Sequence, residues 1–565
     1  MSRFILVVIL LCLSPIHSQV ILSHSNSQTY GKNGMVVSDN TISSQIGIDI
    51  LKKGGNAIDA SIATAFSLAV TFPQAGNLGG GGFLVYLDSR GKSTTIDFRE
   101  KAPLASNSIM FLDSNGKLIK GSNHKGLKSV GVPGTVAGLY LAHKKYGILP
   151  WKELVQPSID LAEKGIIFSW TLEQHAKKFN SGDYPKFLQD YFKNSKENII
   201  KQGELWIQKE LAETLKFIRD YGKDGFYSGP IADEIESFMK ENGGLITKED
   251  LKKYKAIERE PIKGKYKDYD IISMPPPSSG GVAIIEMLNM IEEVNLDSIK
   301  FNSSEYIHLI TEIMRRAFAD RAEHLGDPDF NLNMPVNKLI SKEFAKMRSV
   351  NIDLHKASVS DSSKFGQLYD GDNTTHLSII DKDGNAVSLT YTIEQSYGSG
   401  LGSTKLGFLF NNEMGDFNPK PGYTNNGWLI GTKANIIEPE KRMLSSMSPT
   451  IISKKGKPYL IIGSPGGRTI INTVFQTILC VLAYNMPIKK AIEVLKIHHQ
   501  WMPNKLIYES DLISIDSLKK LEKMGHKVSA TKQLGRLMGI LCPLEEEIYI
   551  GASDSSSPDG GAIGY

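Results

Sequence analysis

The chain turns on Asp372-Asn373-Thr374-Thr375-His376-Leu377-Ser378, about two thirds of the way along its 565 residues. From His376 to Ile380 polar and apolar side chains alternate, as a strand with one buried face requires. The run stops at Asp381-Lys382-Asp383-Gly384-Asn385 and resumes from Ala386 to Ile393. An Asp-Gly pair between two such runs predicts a hairpin. Folding about Asp383 sets Thr392 opposite Thr374, whereas a slip of one residue pairs Thr374 with Ile393 and turns Thr392 to the other face. Read from residues alone, Thr-Thr also fits the head of any strand, and a cross-strand Thr pair stabilises any sheet. Upstream, residues 350–373 are rich in Ser, Asp, Asn and Gly and read as a linker.

Composition bounds the rest. A content of 41% hydrophobic and 22% charged residues is ordinary for a globular protein. The net charge of +4 is slight and no basic stripe with interleaved aromatics is present, which argues against nucleic-acid binding. The start, Met-Ser-Arg-Phe-Ile-Leu-Val-Val-Ile-Leu-Leu-Cys-Leu, joins one positive charge to an apolar run that closes near Leu13, followed by Pro15 and Ser18. That pattern predicts a secretory signal covering residues 1–18, and a secreted or periplasmic protein; an uncleaved anchor is the alternative, although the run is short for a membrane span. Without Cys12 the chain keeps Cys480 and Cys542, at most one disulfide, and Cys480 sits in an apolar helical run as a buried free thiol.

Helices are expected from Thr41 to a Gly54-Gly55 stop, from about Asn56 to Val70, from Gly134 to Tyr146, from Pro150 to Lys164 and from Ser304 to His324, with the stretch from Gly131 to about Phe330 mainly helical. A strand is expected around Tyr269 to Met274. Gly79-Gly80-Gly81-Gly82 enters the apolar strand Phe83-Leu84-Val85-Tyr86 instead of opening a helix, and no Gly-Lys-Ser/Thr follows, so a nucleotide loop is not indicated. Tyr459 to Ile462 is a buried strand running into Gly463-Ser464-Pro465-Gly466-Gly467, with a helix starting near Arg468. Backbone N–H groups of Gly466 and Gly467, beside the positive end of that helix, suit an oxyanion hole. His498-His499 has no third ligand at a recognised zinc spacing, so no metal is expected.

Several of these segments, in one order, resemble the γ-glutamyltranspeptidase family: Asp-Phe-Arg-Glu at 97–100, Asn-Thr-Thr-His at 373–376, Thr-Ile-Glu-Gln at 392–395, Asn-Asn-Glu-Met-Gly-Asp-Phe at 411–417, Leu-Ser-Ser-Met-Ser-Pro at 444–449 and Gly-Ser-Pro-Gly-Gly at 463–467. Each is weak alone; together they span nearly the whole chain. The resemblance implies a four-layer αββα sandwich of the N-terminal nucleophile hydrolase type, an α/β fold. It implies that the bond from Asn373 to Thr374 is cut by Thr374 itself, giving a large subunit of residues 19–373 and a small catalytic subunit of residues 374–565 in one body. A hydroxyl at a chain start has its own α-amine as base, which is why a threonine there is a competent nucleophile.

The same resemblance assigns roles. Thr392 hydrogen-bonds the nucleophile's hydroxyl, Arg99 holds the donor's α-carboxylate with Ser445 and Ser446, and Glu413 and Asp416 take its α-ammonium. Glu394 stands where many relatives carry Asn and joins the ammonium site, Met443 replaces a usual proline, and Pro421 to Asn435 occupies the place of a lid, with Tyr423 and Trp428 as its aromatic candidates. From the residues alone, Arg99 is as well explained by an ion pair with Asp97 or Glu100, and each acid by a solvated surface. The implied activity is transfer or hydrolysis of γ-glutamyl groups of glutathione and related compounds, with an amino acid, peptide or water as acceptor, and no cofactor. The readings beside it are a cephalosporin, glutaryl or polyglutamate acylase on the same fold, an unprocessed secreted binding protein, and a metal-dependent hydrolase.

Overall fold

The computed structural model describes residues 28–360, 374–422, 432–510 and 512–565. The predicted hairpin forms as Thr374–Asp381 paired antiparallel with Ala386–Thr392, in the register that places Thr374 opposite Thr392. Its turn is built by Asp381, whose Oδ1 accepts hydrogen bonds from the N–H groups of Asp383 and Asn385, both at 3.0 Å. Gly384 takes φ 85°, which a side chain would disfavour. The other carboxylate oxygen of Asp381 accepts from the N–H of Ala57 at 3.0 Å, at the positive start of the helix Ala57–Thr71. One side chain thus shapes the turn and fastens it to the layer above.

The hairpin lies at the centre of a seven-stranded sheet ordered Gly561–Gly564, Gly34–Ser38, Thr374–Asp381, Ala386–Thr392, Gly81–Leu87, Ser93–Phe98 and Ile257–Arg259. A second sheet of seven runs Gln28–Gly31, Tyr549–Ser553, Met538–Leu541, Lys457–Gly463, Thr450–Lys454, Tyr269–Ser273 and Ile262–Tyr266. Every neighbouring pair in the two sheets is antiparallel. Leu377, Ile379, Val387, Leu389 and Tyr391 turn outward into a core shared with the helices Thr41–Lys52 and Ala57–Thr71. Ile380 and Ala386 turn inward to the core of the second sheet, which is covered on its far side by Gly280–Glu292, Ser304–His324 and Thr469–Leu482. The result is the αββα sandwich.

Burial fixes the register as firmly as the turn does. A one-residue slip would drive His376, Ser378 and Thr390 into the helix-facing core and bring Leu377, Ile379 and Leu389 to the polar seam between the sheets. Each fully buried aliphatic side chain contributes about 1.5–3 kcal/mol, so the misregistered hairpin is far higher in free energy. Both sheets also take strands from either side of the Asn373–Thr374 bond: Gly34–Ser38 hydrogen-bonds to Thr374–Asp381, and Gln28–Gly31 to Tyr549–Ser553. Cutting that bond leaves these ladders in place.

The two helices after Thr41, and those at Thr135–Tyr146, Trp151–Lys164 and Ser304–His324, form as the periodicity predicts. Asn56 begins the second with a reciprocal cap to Asp59, and the cap of the last is Ser303. The expectation of a mainly helical stretch to Phe330 misses Ile257–Arg259 and Ile262–Tyr266. These are edge strands of the two sheets, and their charged Glu258, Arg259, Lys263 and Lys265 are what edge strands carry and what hides a strand pattern. Cys480 and Cys542 are both buried free thiols. No helix among the described residues is long and apolar enough to cross a membrane. The signal at 1–18, the linker end at 361–373 with Asn373, and the lid aromatics Tyr423 and Trp428 lie outside the described residues.

Candidate active site

Thr374 opens its strand on the face that looks toward the second sheet, and its Oγ1 lies 3.4 Å from Oγ1 of Thr392, to which it donates. Oγ1 of Thr392 also accepts from the N–H of Glu394 at 2.8 Å, which turns the chain after the strand back toward the threonine pair. The glycine run explains the tight approach here. Gly81 and Gly82 pair with Thr392 and Tyr391, and a Cβ on Gly80 would stand 2.0 Å from the carbonyl oxygen of Thr392. That carbonyl is held instead by Nδ2 of Asn77 at 3.0 Å, while Oδ1 of Asn77 accepts from the N–H of Gly80.

Below the pair, His376 is locked between Thr390 (2.8 Å) and Ser378 (3.0 Å) and burial pushes its pKa down to about 3, so it is neutral and structural.

A narrow cleft of about 30 Å³ lies beside Thr374, lined by Thr392, Arg99, Glu394, Glu413, Asp416, Ser445, Ser446 and Gly467 together with Met447, Arg468 and Ile470. Of the residues singled out in the sequence only Gly466 is set back: its carbonyl oxygen accepts from the N–H and hydroxyl of Thr469 at the helix start. Gly466 and Gly467 have φ of 130° and 55°, both in the region that favours glycine, and they turn the chain from Lys457–Gly463 into Thr469–Leu482. The N-terminal end of that 14-residue helix therefore faces the cleft with positive potential.

Arg99 is fully buried, and all its donors are engaged. Nη1 binds Glu413 and lies 3.4 Å from Glu100, Nη2 binds Asp416 at 2.5 Å and the carbonyl of Leu444 at 3.4 Å, and Nε donates to the carbonyl of Met443 at 3.3 Å. Asp97, the other local partner considered, pairs its carboxylate with Arg259 and Arg442 and gives Arg99 only a backbone contact. Burial works against the charge on Arg99, but Glu413, Asp416 and Glu100 outweigh it and raise its pKa. Burial raises Glu413 likewise, and pushes Glu100 and Glu394 up to about 7.

The acids and serines are set by neighbours the motifs do not announce. Asn411 accepts from the N–H of Gly131 and of Glu413 and donates to the carbonyls of Gly79 and Gly131, so it pins the short turn Glu413–Asp416 against the glycine run. Arg321, from Ser304–His324, donates to Ser446 Oγ at 3.0 Å and to Ser279 Oγ at 2.8 Å; the latter in turn holds the carbonyl of Ser445 at 2.6 Å. Ser446 accepts there, which leaves its own O–H to donate to an anion. His124, absent from every motif, lies 2.8 Å from Glu394 through Nδ1. Only its approach across 270 residues of chain makes it part of the site, so no sequence signal marks it.

The histidine pair at 498–499 is used structurally: His498 binds Asn472 and Gln500, both at 2.7 Å. Among the described residues one group, His308, Glu312 and His526, has a metal-like spacing, but its ligand atoms are taken by one another, by Arg315 and Arg316, and by the backbone at Asp353 and Ser358.

The model of the γ-glutamyltranspeptidase family matches residues 43–564. The chain belongs to the γ-glutamyltranspeptidase family. It is 43% identical over 539 residues to a glutathione hydrolase proenzyme of Escherichia coli K12, covering 94% of this chain and 92% of that one, and 40% identical over 554 residues to one of Bacillus subtilis 168, with the same coverage. Among solved structures, the Helicobacter pylori γ-glutamyltranspeptidase is 43% identical with a TM-score of 0.54, covering 56% of this chain and 91% of that one. A cephalosporin acylase from Bacillus halodurans aligns over 98% of this chain and 99% of its own at a TM-score of 0.83 and 25% identity. In this structure Thr374, Thr392, the Arg99 acid cluster and the Ser445-Ser446 pair converge on one cleft.

Proposed function

We propose that this protein is a self-processing γ-glutamyltransferase and glutathione hydrolase, and that Thr374 is its nucleophile. The observation that carries the reading is the cleft itself: a strand-leading threonine stands within reach of a buried arginine, three acids and two serines, a set that matches a zwitterionic acyl donor. In the precursor, Oγ1 of Thr374 attacks the carbonyl carbon of Asn373; the C–N bond breaks, its nitrogen takes up the hydroxyl proton as the free α-amine of Thr374, and water hydrolyses the resulting ester, releasing the carboxylate of Asn373 and restoring the hydroxyl. That amine then takes the proton of Oγ1 as the oxygen attacks the carbonyl carbon of a γ-glutamyl amide. The oxyanion is met by the N–H of Gly467 and the helix end beside it, with Gly466, set back from the cleft, shaping the turn that presents them. Collapse expels the amine, which leaves with the proton, and a γ-glutamyl ester remains on Thr374. Water or the amine of an amino acid or peptide attacks that ester, giving hydrolysis or transfer. Thr392 orients the hydroxyl in both stages. Export through the leader at 1–18 places the enzyme outside the cytoplasm, where extracytoplasmic glutathione is the donor.

The resting cluster supports a specific mode of donor binding. Asp416 is the one partner of Arg99 whose side chain is partly exposed, at 25%. When the donor's α-ammonium takes Asp416, an N–H of Arg99 is released for the α-carboxylate, and Ser445 and Ser446 complete that contact. One internal ion pair is exchanged for two with the donor, so no charge is stranded at any stage.

Denaturing electrophoresis with N-terminal sequencing tests the reading. Two chains are expected, the smaller starting at Thr374; a start elsewhere overturns the assignment. Arg99→Ala is expected to raise the KM for a γ-glutamyl donor by the equivalent of about 2–5 kcal/mol while self-cleavage persists, because the arginine serves the donor and not the acyl shift. The melting temperature should fall too, since Glu413 and Glu100 lose their counter-ion. Arg99→Lys keeps the charge without the fork and should recover stability more than KM; an unchanged KM in both variants would show that the carboxylate is held elsewhere.

A further inference from the structure

Glu394 has a dedicated partner. Its carboxylate is buried in the cleft wall, and the facing ring of His124 sits 2.8 Å away, itself only 9% exposed. The loop that brings His124 in is tied down by Asn412, whose Nδ2 donates to the carbonyl of His124 at 3.1 Å, and by the N–H of His124 donating to Gly121 at 3.1 Å. Room for the ring depends on Gly415: a Cβ there would lie 2.2 Å from Nδ1 of His124 and 3.0 Å from Oε1 of Glu394. Three separate segments are therefore shaped around this contact. The Arg99 acid cluster does not need it, since Glu413 and Asp416 reach Arg99 without it.

We propose that His124 is a positioning residue for donor recognition: its ring fixes Glu394 with one carboxylate oxygen toward the imidazole and holds the group charged, leaving the other oxygen for the donor's α-ammonium. The inference rests on the assignment of Glu394 to that ammonium. The charges facing Glu394 decide what His124 adds. Asp416 and Glu413 oppose a further negative charge at Glu394, Arg99 favours it but is saturated by its own acids, and Arg468, which lines the same cleft, opposes a positive charge on His124. Burial pushes Glu394 up to about 7, and His124 is the largest influence pulling it down. For His124, burial lowers the pKa but Glu394 outweighs it and raises it above the ordinary value. The pair thus carries its charge near neutrality by mutual support.

Removing the ring should let Glu394 hold its proton to higher pH. If its pKa rises by about one unit, the smallest effect expected for loss of an adjacent opposite charge, the ionised fraction at pH 7 falls from about a half to about a tenth. The donor's KM then rises about fivefold at pH 7, and the difference vanishes above about pH 9, where Glu394 is ionised in both forms. The test compares the mature two-subunit wild type with His124→Ala, His124→Gln, Glu394→Gln and the His124→Ala/Glu394→Gln double variant. KM and kcat for γ-glutamyl-p-nitroanilide are measured from pH 6 to 9.5, and complete cleavage into two chains serves as the check on folding.

The inference expects KM to rise at pH 7 and converge on wild type at high pH in both single His124 variants, kcat to stay within about twofold, and the His124 effect to disappear in the Glu394→Gln background. A KM rise that is the same at every pH, or that persists in the Glu394→Gln background, overturns it and leaves His124 a packing residue. If Glu394→Gln alone leaves KM unchanged, it is the assignment of Glu394 to the ammonium that fails, and the inference falls with it.

Discussion

Thr374→Ala should remain a single uncut chain and turn over no γ-glutamyl donor above background. The alanine removes the atom that attacks Asn373, so the ester cannot form and no new α-amine appears. It also removes the nucleophile of turnover, so even a chain cut by other means stays inactive. Deleting the nucleophile of an acyl-transfer enzyme typically lowers kcat by on the order of 10⁴- to 10⁶-fold, because the remaining groups bind and polarise but form no acyl-enzyme. The fold should survive. Among the described residues Thr374 makes one hydroxyl contact of 3.4 Å, and the strand is held by its ladders to Gly34–Ser38 and Ala386–Thr392 and by the buried Leu377 and Ile379. Thr374→Ser separates the two consequences: it keeps Oγ and should still cut, more slowly because its hydroxyl is less restrained. Electrophoresis, mass spectrometry of the purified chain and p-nitroaniline release check these outcomes. Cleavage of Thr374→Ala at the same bond would place the nucleophile on another residue.

A donor without its α-amine should be rejected almost as severely. Glu394, Glu413 and Asp416 line one wall of the cleft, with one arginine committed to two of them. Glutaryl-p-nitroanilide presents the same scissile amide as γ-glutamyl-p-nitroanilide but no ammonium. It also lacks the α-carboxylate's partner charge, so the exchange at Asp416 and Arg99 cannot run. Sites built around a polar group commonly discriminate by roughly 10⁴-fold against an analogue lacking it. Water entering at Asp416 would soften the loss at that one acid, whereas Glu394 and Glu413 are buried and cannot be resolvated so readily. The measurement is kcat/KM for both compounds on the mature enzyme, with and without a dipeptide acceptor. Comparable values would promote the glutaryl-acylase reading, and acceptor stimulation with the γ-glutamyl donor establishes transfer beside hydrolysis.

Local physical chemistry was legible in the residues. Alternation around an Asp-Gly turn determined the central hairpin but left two registers open; the packed sheets take the one with Thr392 opposite Thr374, because burial of one face selects it. Helix periods and the helix starts near Asn56 and Gly134 were equally local, as was the junction of Gly466 and Gly467 with the helix after Arg468. The edge strands Ile257–Arg259 and Ile262–Tyr266 were not, since solvent-facing edges carry charges and lose the apolar rhythm that marks interior strands.

What only the tertiary structure decided was partnership. Arg99 could have paired with Asp97 or Glu100 beside it, and it pairs chiefly with Glu413 and Asp416 from the other side of the cut, while Asp97 goes to Arg259 and Arg442. Asn77 holding Thr392, Arg321 behind Ser446, and His124 against Glu394 belong to the same class. Short-range conformational preferences are written in neighbouring residues, whereas a buried charge takes as its partner whichever opposite charge the packed sheets bring within about 3 Å. That choice depends on the whole fold, because the desolvated ion is stable only where every remaining donor and acceptor is also met.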